Sequence, residues 1–276
     1  MATPFPLATQ IHGLGFPVLC LHGHPGSAAT MAVFTRHLSQ RLQTIAPDLR
    51  GYGASQPRCP FQMSDHVLDL EALLDRLDIR QCLVLGWSLG GILAMELALH
   101  QPQRISGLIL VATSACPRSD HPPVTWQDYL FTGISSIINW LNPGWLWNIE
   151  QWGQRSLYRY LMQQHTPTAY GYLAESGVAA YLQTSRFAHN ALSLAIRQGY
   201  DRRDLLSQIQ CPCLMLIGDS DRHITPASSL ETAARLPTCE WHIYPQTAHL
   251  FPWEIPAQVL STIDQWLAQH PEVITA

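Results

Sequence analysis

Ser88 stands between two glycines, Gly86 and Gly90, in a turn whose pattern is G-x-S-x-G. The apolar run 82–85 before the turn predicts a buried strand, and the apolar run 92–99 after it predicts a helix. A sharp strand-to-helix turn strains the backbone of the serine, needs glycines on either side, and presents the hydroxyl at the end of the strand. The residue types and their spacing indicate nucleophilic catalysis by Ser88, although the motif alone also fits a small-residue turn that packs a helix on a strand.

A serine nucleophile depends on a histidine base, and the histidine in turn depends on a carboxylate. Asp219 and Asp221 both follow the apolar run 213–218, which predicts a strand. A carboxylate just past the end of a strand can reach across the edge of a sheet, and Asp221 sits deeper in its loop than Asp219. We therefore assign the acid to Asp221, with Asp219 as the alternative.

Thirteen histidines are available as the base. A general base must be free to reach the nucleophile, which favours a position in a loop. His249 lies in the loop after the strand predicted at 240–244, whereas His242 lies inside that strand. We assign the base to His249, which also follows the acid in the chain, and the side chain of His24 is a weaker alternative.

Acyl transfer also needs N–H donors that hold the oxyanion. The apolar run 18–21 leads directly into a glycine-rich loop that contains His22 and His24. We expect the oxyanion to be held by the backbone N–H of His24 and by that of Leu89, which follows the nucleophile at a helix N-terminus. The side chain of His22 is expected to brace the loop by hydrogen bonding.

These side chains can meet only if the strands before them are parallel and end at the same edge of one sheet. Apolar runs alternate with helical periodicity along the chain, and they predict strands at 18–21, 44–47, 82–85, 105–111, 213–218 and 240–244. This alternation predicts an α/β fold with a mostly parallel, doubly wound sheet. A short additional strand is expected within 11–15.

Between residues 117 and 204 the pattern changes to successive helices without a convincing strand. We expect these helices over about 125–141, 146–161, 166–173 and 184–197. An unstructured loop of this length is uncommon in a compact domain. The predicted organisation is therefore an α/β core at 1–116 and 205–276, interrupted by a helical cap at 117–204.

The cap holds five of the nine tryptophans and seven of the nine tyrosines. Most of these rings must pack the cap against the core, and the remainder can line an apolar pocket above Ser88. The candidate pocket residues are Trp87, Trp126, Trp147, Trp152 and Leu250.

Charged side chains offer further candidates for binding. Arg155, Arg159 and Arg186 can meet a substrate carboxylate or an acidic partner, although each is more commonly a solvated surface charge. Asp48 and Arg50 are expected to clamp their loop, since arginine with aspartate is a common structural pair.

Composition excludes several classes of protein. The 276 residues carry a net charge of −4 without a basic cluster, so no nucleic-acid partner is expected. All sixteen basic residues are arginine, which excludes a lysine Schiff base, a covalently held pyridoxal cofactor and the lysine of a P-loop. The seven cysteines lack the spacing of a zinc site, so no metal is expected, and serine chemistry needs no cofactor.

The location of the protein is predicted from what the sequence lacks. No run of about 18 apolar residues predicts a membrane span. The first residues show neither a basic nor an apolar leader segment, and the scattered cysteines fit a reducing compartment. We therefore expect a cytoplasmic protein.

The order Ser88, Asp221, His249, each just after a predicted strand, resembles the α/β-hydrolase superfamily. Other segments are similar to its motifs: His22-Gly23-His24-Pro25 to the HGxP loop, 48–55 to the DxRGxGxS loop, Gly218-x-x-Asp221 to the acid segment, and His249 with Glu254-x-Pro256 to the histidine segment. The resemblance implies the fold of that family with a cap inserted after the sixth strand. The family usually has two strands before the HGxP loop strand, and here the first is expected to be short or missing.

The subfamily is less well defined by the sequence. The elbow 86–91 is similar to that of the pimeloyl-carrier-protein methyl ester esterases. A serine nucleophile argues against haloalkane dehalogenases and epoxide hydrolases, which use an aspartate there. The meta-cleavage C–C hydrolases often carry a tryptophan next to the catalytic histidine, where this chain has Leu250.

The resemblance implies a cofactor-independent serine hydrolase with a Ser88-His249-Asp221 triad. The expected substrate is a small to medium apolar carboxylic ester, cleaved through an acyl-enzyme. One alternative is a C–C bond hydrolase, lyase or synthase that uses the triad as a base. A non-catalytic binding protein of this fold is less favoured because the triad is intact, and an acyl-carrier partner has no support in the sequence.

Overall fold

The computed structural model describes residues 3–275, which form one sheet with helices on both faces. The strands are β1 Thr9–His12, β2 Pro17–Leu21, β3 Gln43–Pro47, β4 Cys82–Trp87, β5 Ile105–Val111, β6 Cys213–Gly218 and β7 Cys239–Tyr244. Within the described residues the seven strands lie side by side in the order β1-β3-β2-β4-β5-β6-β7.

The sheet is parallel except at one edge, where β1 pairs antiparallel with β3. The central strands β4, β5 and β6 are buried along their whole length. Strands that are covered on both faces need continuous apolar sequence, which is what their runs of Leu, Ile and Val supply. The prediction of a mostly parallel, doubly wound sheet is confirmed.

The start of the chain differs from the usual family pattern in the way the sequence predicts. One strand, β1, precedes β2 in the described part of the chain, and it lies slightly before the predicted range 11–15. The helical segment follows β5, which is the fifth strand here. It takes the sixth place when the family's usual two strands before the strand of the HGxP loop are counted, so the prediction and the structure agree.

Among residues 3–275, six α-helices belong to the sheet-bearing part of the chain: α1 Ala32–Leu38, α2 Asp65–Arg76, α3 Leu89–His100, α10 Pro226–Arg235, α11 Phe251–Glu254 and α12 Pro256–Gln269. The apolar sides of α2, α3 and α10 pack on one face of the sheet. The apolar sides of α1 and α12 pack on the other face. Successive side chains of β4 alternate between these two cores, as the two-residue period of a strand requires.

The segment between β5 and β6 is helical. Its helices are α4 Trp126–Leu141, α5 Leu146–Gln151, α6 Tyr158–Leu161, α7 Pro167–Tyr172, α8 Val178–Leu182 and α9 Arg186–Arg197. The start of α4 is fixed by a capping box in which the Thr125 side chain accepts from the Asp128 N–H and the Asp128 carboxylate accepts from the Thr125 N–H. This is the start that the sequence predicts.

The prediction of one helix over 146–161 is wrong. The helix stops at Gln151, and a 3-10 turn at Gly153–Arg155 separates α5 from α6. A Cβ at Gly153 would lie 1.9 Å from the Tyr170 hydroxyl, so the chain turns where α7 packs closely against a glycine. The third predicted helix is also longer than expected, because α7 continues through a π-turn at Leu173–Gly177 into α8.

The helical segment shows a clear change of architecture, and its division from the core at 117 and 204 stays a prediction. Residues 1, 2 and 276, which the predicted bounds include, lie outside the described residues. Of the helices in residues 3–275, none is both long and apolar enough to cross a membrane.

The substitution Gly90→Ala is expected to destabilise the fold by about 3 kcal/mol or more, since overpacking a core costs this much when backbone atoms must move. A Cβ at Gly90 would lie 2.0 Å from the Leu21 carbonyl oxygen at the end of β2. Urea unfolding of the variant and of the wild type measures the difference.

Gly133→Ala is the matched control, because Gly133 lies inside α4 and a Cβ there would meet nothing within 4 Å. This variant should be stabilised by up to about 1 kcal/mol through higher helix propensity. Equal stabilities of the two variants would contradict the role of Gly90 in the contact between β2 and α3.

Candidate active site

Ser88 occupies the turn between β4 and α3 with φ 55° and ψ −115°. A non-glycine residue at positive φ is strained, and the surrounding structure must hold it there. Its N–H donates to the Val111 carbonyl at 2.8 Å, and its carbonyl accepts from the Thr113 hydroxyl at 2.7 Å. The end of β5 therefore fixes both sides of the Ser88 peptide.

The strained turn is sterically possible because two nearby residues are glycines. A Cβ at Gly86 would lie 2.3 Å from the Gly90 carbonyl oxygen, so the strand and the helix that flank Ser88 approach this closely only because residue 86 has no side chain. A Cβ at Gly23 would lie 3.2 Å from the Cβ of Ser88. The loop after β2 therefore runs directly beside the serine.

His249 and Asp221 form a buried pair. The Nδ1 of His249 and the Oδ2 of Asp221 are 2.8 Å apart, which makes Nδ1–H the donor and leaves Nε2 as the basic nitrogen. The other oxygen of Asp221 accepts from the backbone N–H groups of His223, at 2.8 Å, and Ile224, at 3.0 Å. Both oxygens of the carboxylate are thus occupied, and the carboxylate is fixed against the ring.

Asp219, the alternative acid, does not contact His249. It accepts a hydrogen bond from the Ser220 hydroxyl at 2.7 Å and one from the Thr247 N–H at 3.3 Å. It therefore holds the loops after β6 and β7 together, while Asp221 contacts the ring. His242, the other histidine considered, lies inside β7.

The loop that carries His249 is tied to residues outside it. The indole N–H of Trp87, next to Ser88, donates to the His249 carbonyl at 3.3 Å. The Ala248 N–H donates to the Glu254 carboxylate at 3.0 Å. The first of these bonds brings the loop of the histidine to the residue beside the serine.

Two backbone N–H groups are open beside Ser88. Within residues 3–275, no acceptor lies in hydrogen-bonding range of the N–H of His24 or of Leu89. Leu89 is the first residue of α3, where the N–H groups have no partner inside the helix and carry the positive end of its dipole. This arrangement can bind an oxyanion.

A neutral imidazole, that of His223, lies beside the pair of His249 and Asp221, and a second one, that of His24, lies in the loop after β2. The rings of His223 and His249 have centroids 4.6 Å apart, and burial lowers the pKa of His223 to about 3. Burial, with the neighbouring imidazoles of His189 and His22, lowers the pKa of His24 to about 4. The sequence predicted no role for His223 or His189; the two-residue spacing of His223 from Asp221 was the available signal for the first.

His22 braces its loop as the sequence predicts. Its Nδ1–H donates to the Gly23 carbonyl at 2.8 Å, and its Nε2 accepts from the Leu49 N–H at 3.1 Å. Burial lowers the pKa of His22 to about 4, which keeps the ring neutral and able to make both bonds. The side chain of His24 bonds the Tyr52 hydroxyl through Nδ1 at 2.8 Å and so anchors the same loop.

The residues 17–256 match the family model described as the alpha/beta hydrolase fold. The chain belongs to this family. A pimeloyl-[acyl-carrier protein] methyl ester esterase of Nitrosomonas europaea is 30% identical over 264 residues, which cover 91% of this chain and 96% of the relative. The structure of a thermophilic esterase from Thermogutta terrifontis superposes with a TM-score of 0.74 at 27% identity and covers 98% of this chain and 94% of its own.

A third relative carries a different kind of name. A 2-hydroxy-6-oxononadienedioate/2-hydroxy-6-oxononatrienedioate hydrolase of Pseudomonas putida is 25% identical over 243 residues, or 86% of this chain and 82% of the relative. The relatives of this hydrolase therefore include proteins named for different reactions.

The predicted pocket residues of the hydrolase lie in different environments. Trp126 is 71% exposed, and Trp147 is 46% exposed. Trp87 is buried with its indole N–H on the His249 loop, Leu250 is half-buried, and Trp152 is half-buried within the helical segment. Their part in binding a substrate stays a prediction.

The prediction that Asp48 and Arg50 pair with each other is wrong. Arg50 pairs instead with Asp69 on α2, and Asp48 accepts from the N–H groups of Ala28 and Ala54. Both side chains have structural roles, since backbone N–H groups satisfy the Asp48 carboxylate and Asp69 pairs with Arg50.

The arginines of the helical segment include one with a buried acidic partner. Arg159 forms an ion pair with the Asp128 carboxylate at 2.6 Å.

In the part of the hydrolase that the structure describes, no three His, Cys, Asp or Glu side chains are arranged to hold a metal ion.

A buried carboxylate predicts how stability changes with pH. Burial raises the pKa of Glu254 from 4.5 to about 7, against the opposite effect of the N–H donors around it. The folded state then binds more protons than the unfolded state between these values, so this contribution to stability is complete below pH 4.5 and is lost as pH rises through 7. As pH rises from 4 to 8, the free energy of unfolding of the wild type should therefore fall by about 3 kcal/mol relative to that of Glu254→Gln. This figure follows from roughly 1.4 kcal/mol per unit of pKa shift.

Urea unfolding of both proteins at several values between pH 4 and pH 8 measures this difference. Taking the difference between the two proteins removes the contributions of every other titrating group. A difference that stays constant with pH would contradict the raised pKa.

Proposed function

We propose that the protein is a cofactor-independent serine hydrolase that cleaves a small to medium apolar carboxylic ester. The observation that carries the proposal is the buried hydrogen bond of 2.8 Å between His249 and Asp221, on a loop that is bonded to the residue next to the strained Ser88. A carboxylate in this position selects the imidazole tautomer whose Nε2 accepts a proton.

In the first half of the proposed reaction the Ser88 Oγ attacks the carbonyl carbon of the ester. The Nε2 of His249 takes the hydroxyl proton, and Asp221 stabilises the resulting cation. The negative oxygen of the tetrahedral intermediate accepts from the N–H groups of His24 and Leu89. The carbon–oxygen bond to the alcohol then breaks, and His249 returns the proton to the leaving oxygen.

In the second half, water attacks the acyl-enzyme by the same path. His249 takes a proton from the water, the same two N–H groups hold the oxyanion, and the proton goes back to Ser88 Oγ as the acid leaves. No metal or cofactor takes part in the proposed steps. Each oxyanion donor is expected to contribute roughly 10²–10³ in rate, as in other serine hydrolases.

The names of relatives support an ester as the substrate. The relative that is 30% identical is named for a methyl ester, and it is matched over 96% of its length. An acyl group on a carrier protein is a finer possibility that this name raises. Testing it requires a carrier-linked methyl ester next to a free methyl ester of the same acid.

C–C bond hydrolysis is the second candidate, favoured by the relative from Pseudomonas putida that matches 86% of this chain. In that reaction the same triad acts on a carbon–carbon bond next to a carbonyl. Accumulation of an ester-derived acyl-enzyme supports the first candidate, because only the route through a serine ester demands this adduct.

Labelling with a fluorophosphonate probe tests the activated serine. The wild type is expected to gain one adduct on Ser88, and Ser88→Ala is expected to gain none, because the probe reacts with a serine whose proton has a base to accept it. Mass mapping of the adduct identifies the residue. A folded wild type that neither labels nor hydrolyses p-nitrophenyl esters of any chain length would exclude the esterase proposal.

Asp221→Asn is expected to lower kcat for such an ester by about 10³–10⁴, because the amide stabilises the wrong tautomer of the histidine. Asp219→Asn is the matched control, since it changes the same group two residues away and should keep kcat within a few fold of the wild type. Steady-state kinetics of the two variants measures the contrast. A larger loss in the Asp219 variant would assign the acid to Asp219.

A further inference from the structure

Backbone groups of His249 and of the residue before it are held by side chains from outside their loop. The carbonyl of His249 accepts from the Trp87 indole, and the N–H of Ala248 donates to the Glu254 Oε1 at 3.0 Å. The orientation of the ring relative to Ser88 therefore depends on groups that this loop does not itself contain.

Two sets of hydrogen bonds connect this region to the helical segment, one through Glu254 and one through Leu250. The Oε2 of Glu254 accepts from the backbone N–H groups of Gln163, at 3.1 Å, and Gln164, at 2.6 Å. The N–H of Leu250 donates to the Leu161 carbonyl at 2.8 Å. One carboxylate thus joins the N–H of Ala248, the residue before His249, to residues 163 and 164. A backbone bond joins the N–H of Leu250, the residue after His249, to residue 161.

The short helix α11 that carries Glu254 is itself fixed between the two parts of the chain. The ring of Trp253 lies edge-on to Trp87 at a centroid distance of 5.3 Å. The same ring stacks on Tyr172 of α7 at 6.0 Å and an interplanar angle of 10°. Glu254 therefore has little freedom to move away from either set of N–H donors.

The chemistry of Glu254 points to a specific role. The residue is 5% exposed, and within residues 3–275 it forms no ion pair with an arginine or a histidine. An unpaired carboxylate is costly to bury, and an apolar residue would fill the space at lower cost. Its two oxygens accept three N–H bonds, two from the helical segment and one from the loop of His249, and so join these two segments.

We propose that Glu254 is a positioning residue that couples the helical segment at 161–164 to the alignment of His249 with Ser88. The proposal rests on the proposed function of the site. When the N–H groups of Gln163 and Gln164 are in place, the carboxylate holds the Ala248 peptide and the ring is aligned for proton transfer. When they move away, the peptide loses its partner and the alignment relaxes.

Steady-state kinetics of Glu254→Gln with a p-nitrophenyl ester tests the coupling. Glutamine keeps the shape of the side chain, but it has one acceptor oxygen and turns an NH₂ group towards an N–H donor. We expect kcat to fall about 10- to 100-fold, because small misplacements of catalytic groups reduce the rate by such factors. KM should change less than about threefold. The rate of fluorophosphonate labelling should fall by a similar factor.

Asp128→Asn is the matched control. Asp128 is also a buried carboxylate that accepts a backbone N–H, from Thr125, but its bonds all stay inside the helical segment. This variant should lose stability and keep the kcat of the wild type. Equal losses of kcat in the two variants would mean that Glu254 matters only for stability, and would overturn the proposal.

Hydrogen exchange of the wild type tests the same coupling without any substitution. The amides of Ala248, Leu250, Gln163 and Gln164 should open together, with one common protection factor. Exchange at 163 and 164 that is much faster than at 248 and 250 would overturn the proposal, because the two segments would then open independently.

The two proposals fail in different ways. A wild type that shows no ester hydrolysis and no labelling overturns the proposed function, whereas the exchange experiment still measures the contact between the two segments. An active wild type with an equally active Glu254→Gln variant leaves the proposed function in place and overturns the role of Glu254.

Discussion

The strained backbone of Ser88 is the constraint on which the rest of the site depends. A residue at φ 55° holds that conformation only if its neighbours fix it, and the end of β5 does so through Val111 and Thr113. After the same turn, α3 packs so closely against β2 that a Cβ at Gly90 would lie 2.0 Å from the Leu21 carbonyl oxygen. The serine, the start of α3 and the loop after β2 therefore have one mutual arrangement, which leaves the N–H groups of His24 and Leu89 open on one side.

The parallel sheet explains why residues 88, 221 and 249 reach one place from distant parts of the chain. β4, β6 and β7 all end at the same edge, so the loops after them emerge side by side. The strand order leaves β5 between β4 and β6. The loop after β7 has the longest distance to cover, and the bonds of its peptides to Trp87 and Glu254 supply the support that the sheet alone does not give.

Much of this arrangement follows from the local sequence. The parts that do not follow from it depend on contacts between distant segments. The buried strands are predicted because Cys82–Trp87 and Ile105–Val111 are continuous apolar runs, and the elbow is predicted because its glycines have a steric purpose. The break at Gly153 is not predicted, since it lies at a close contact with the Tyr170 hydroxyl, which approaches from another helix. The pairing of Arg50 with Asp69 in place of Asp48 is likewise decided by tertiary contacts that spacing along the chain does not encode.

The electrostatics of the site are consistent with a single proton carrier. In the proposed reaction His249 becomes a cation beside His223, whose ring centroid is 4.6 Å away. Two imidazolium ions at that separation would repel, but burial lowers the pKa of His223 to about 3. Near neutral pH this neighbour stays uncharged, so the charge that develops on His249 meets the carboxylate of Asp221 and is not opposed by a cation on His223.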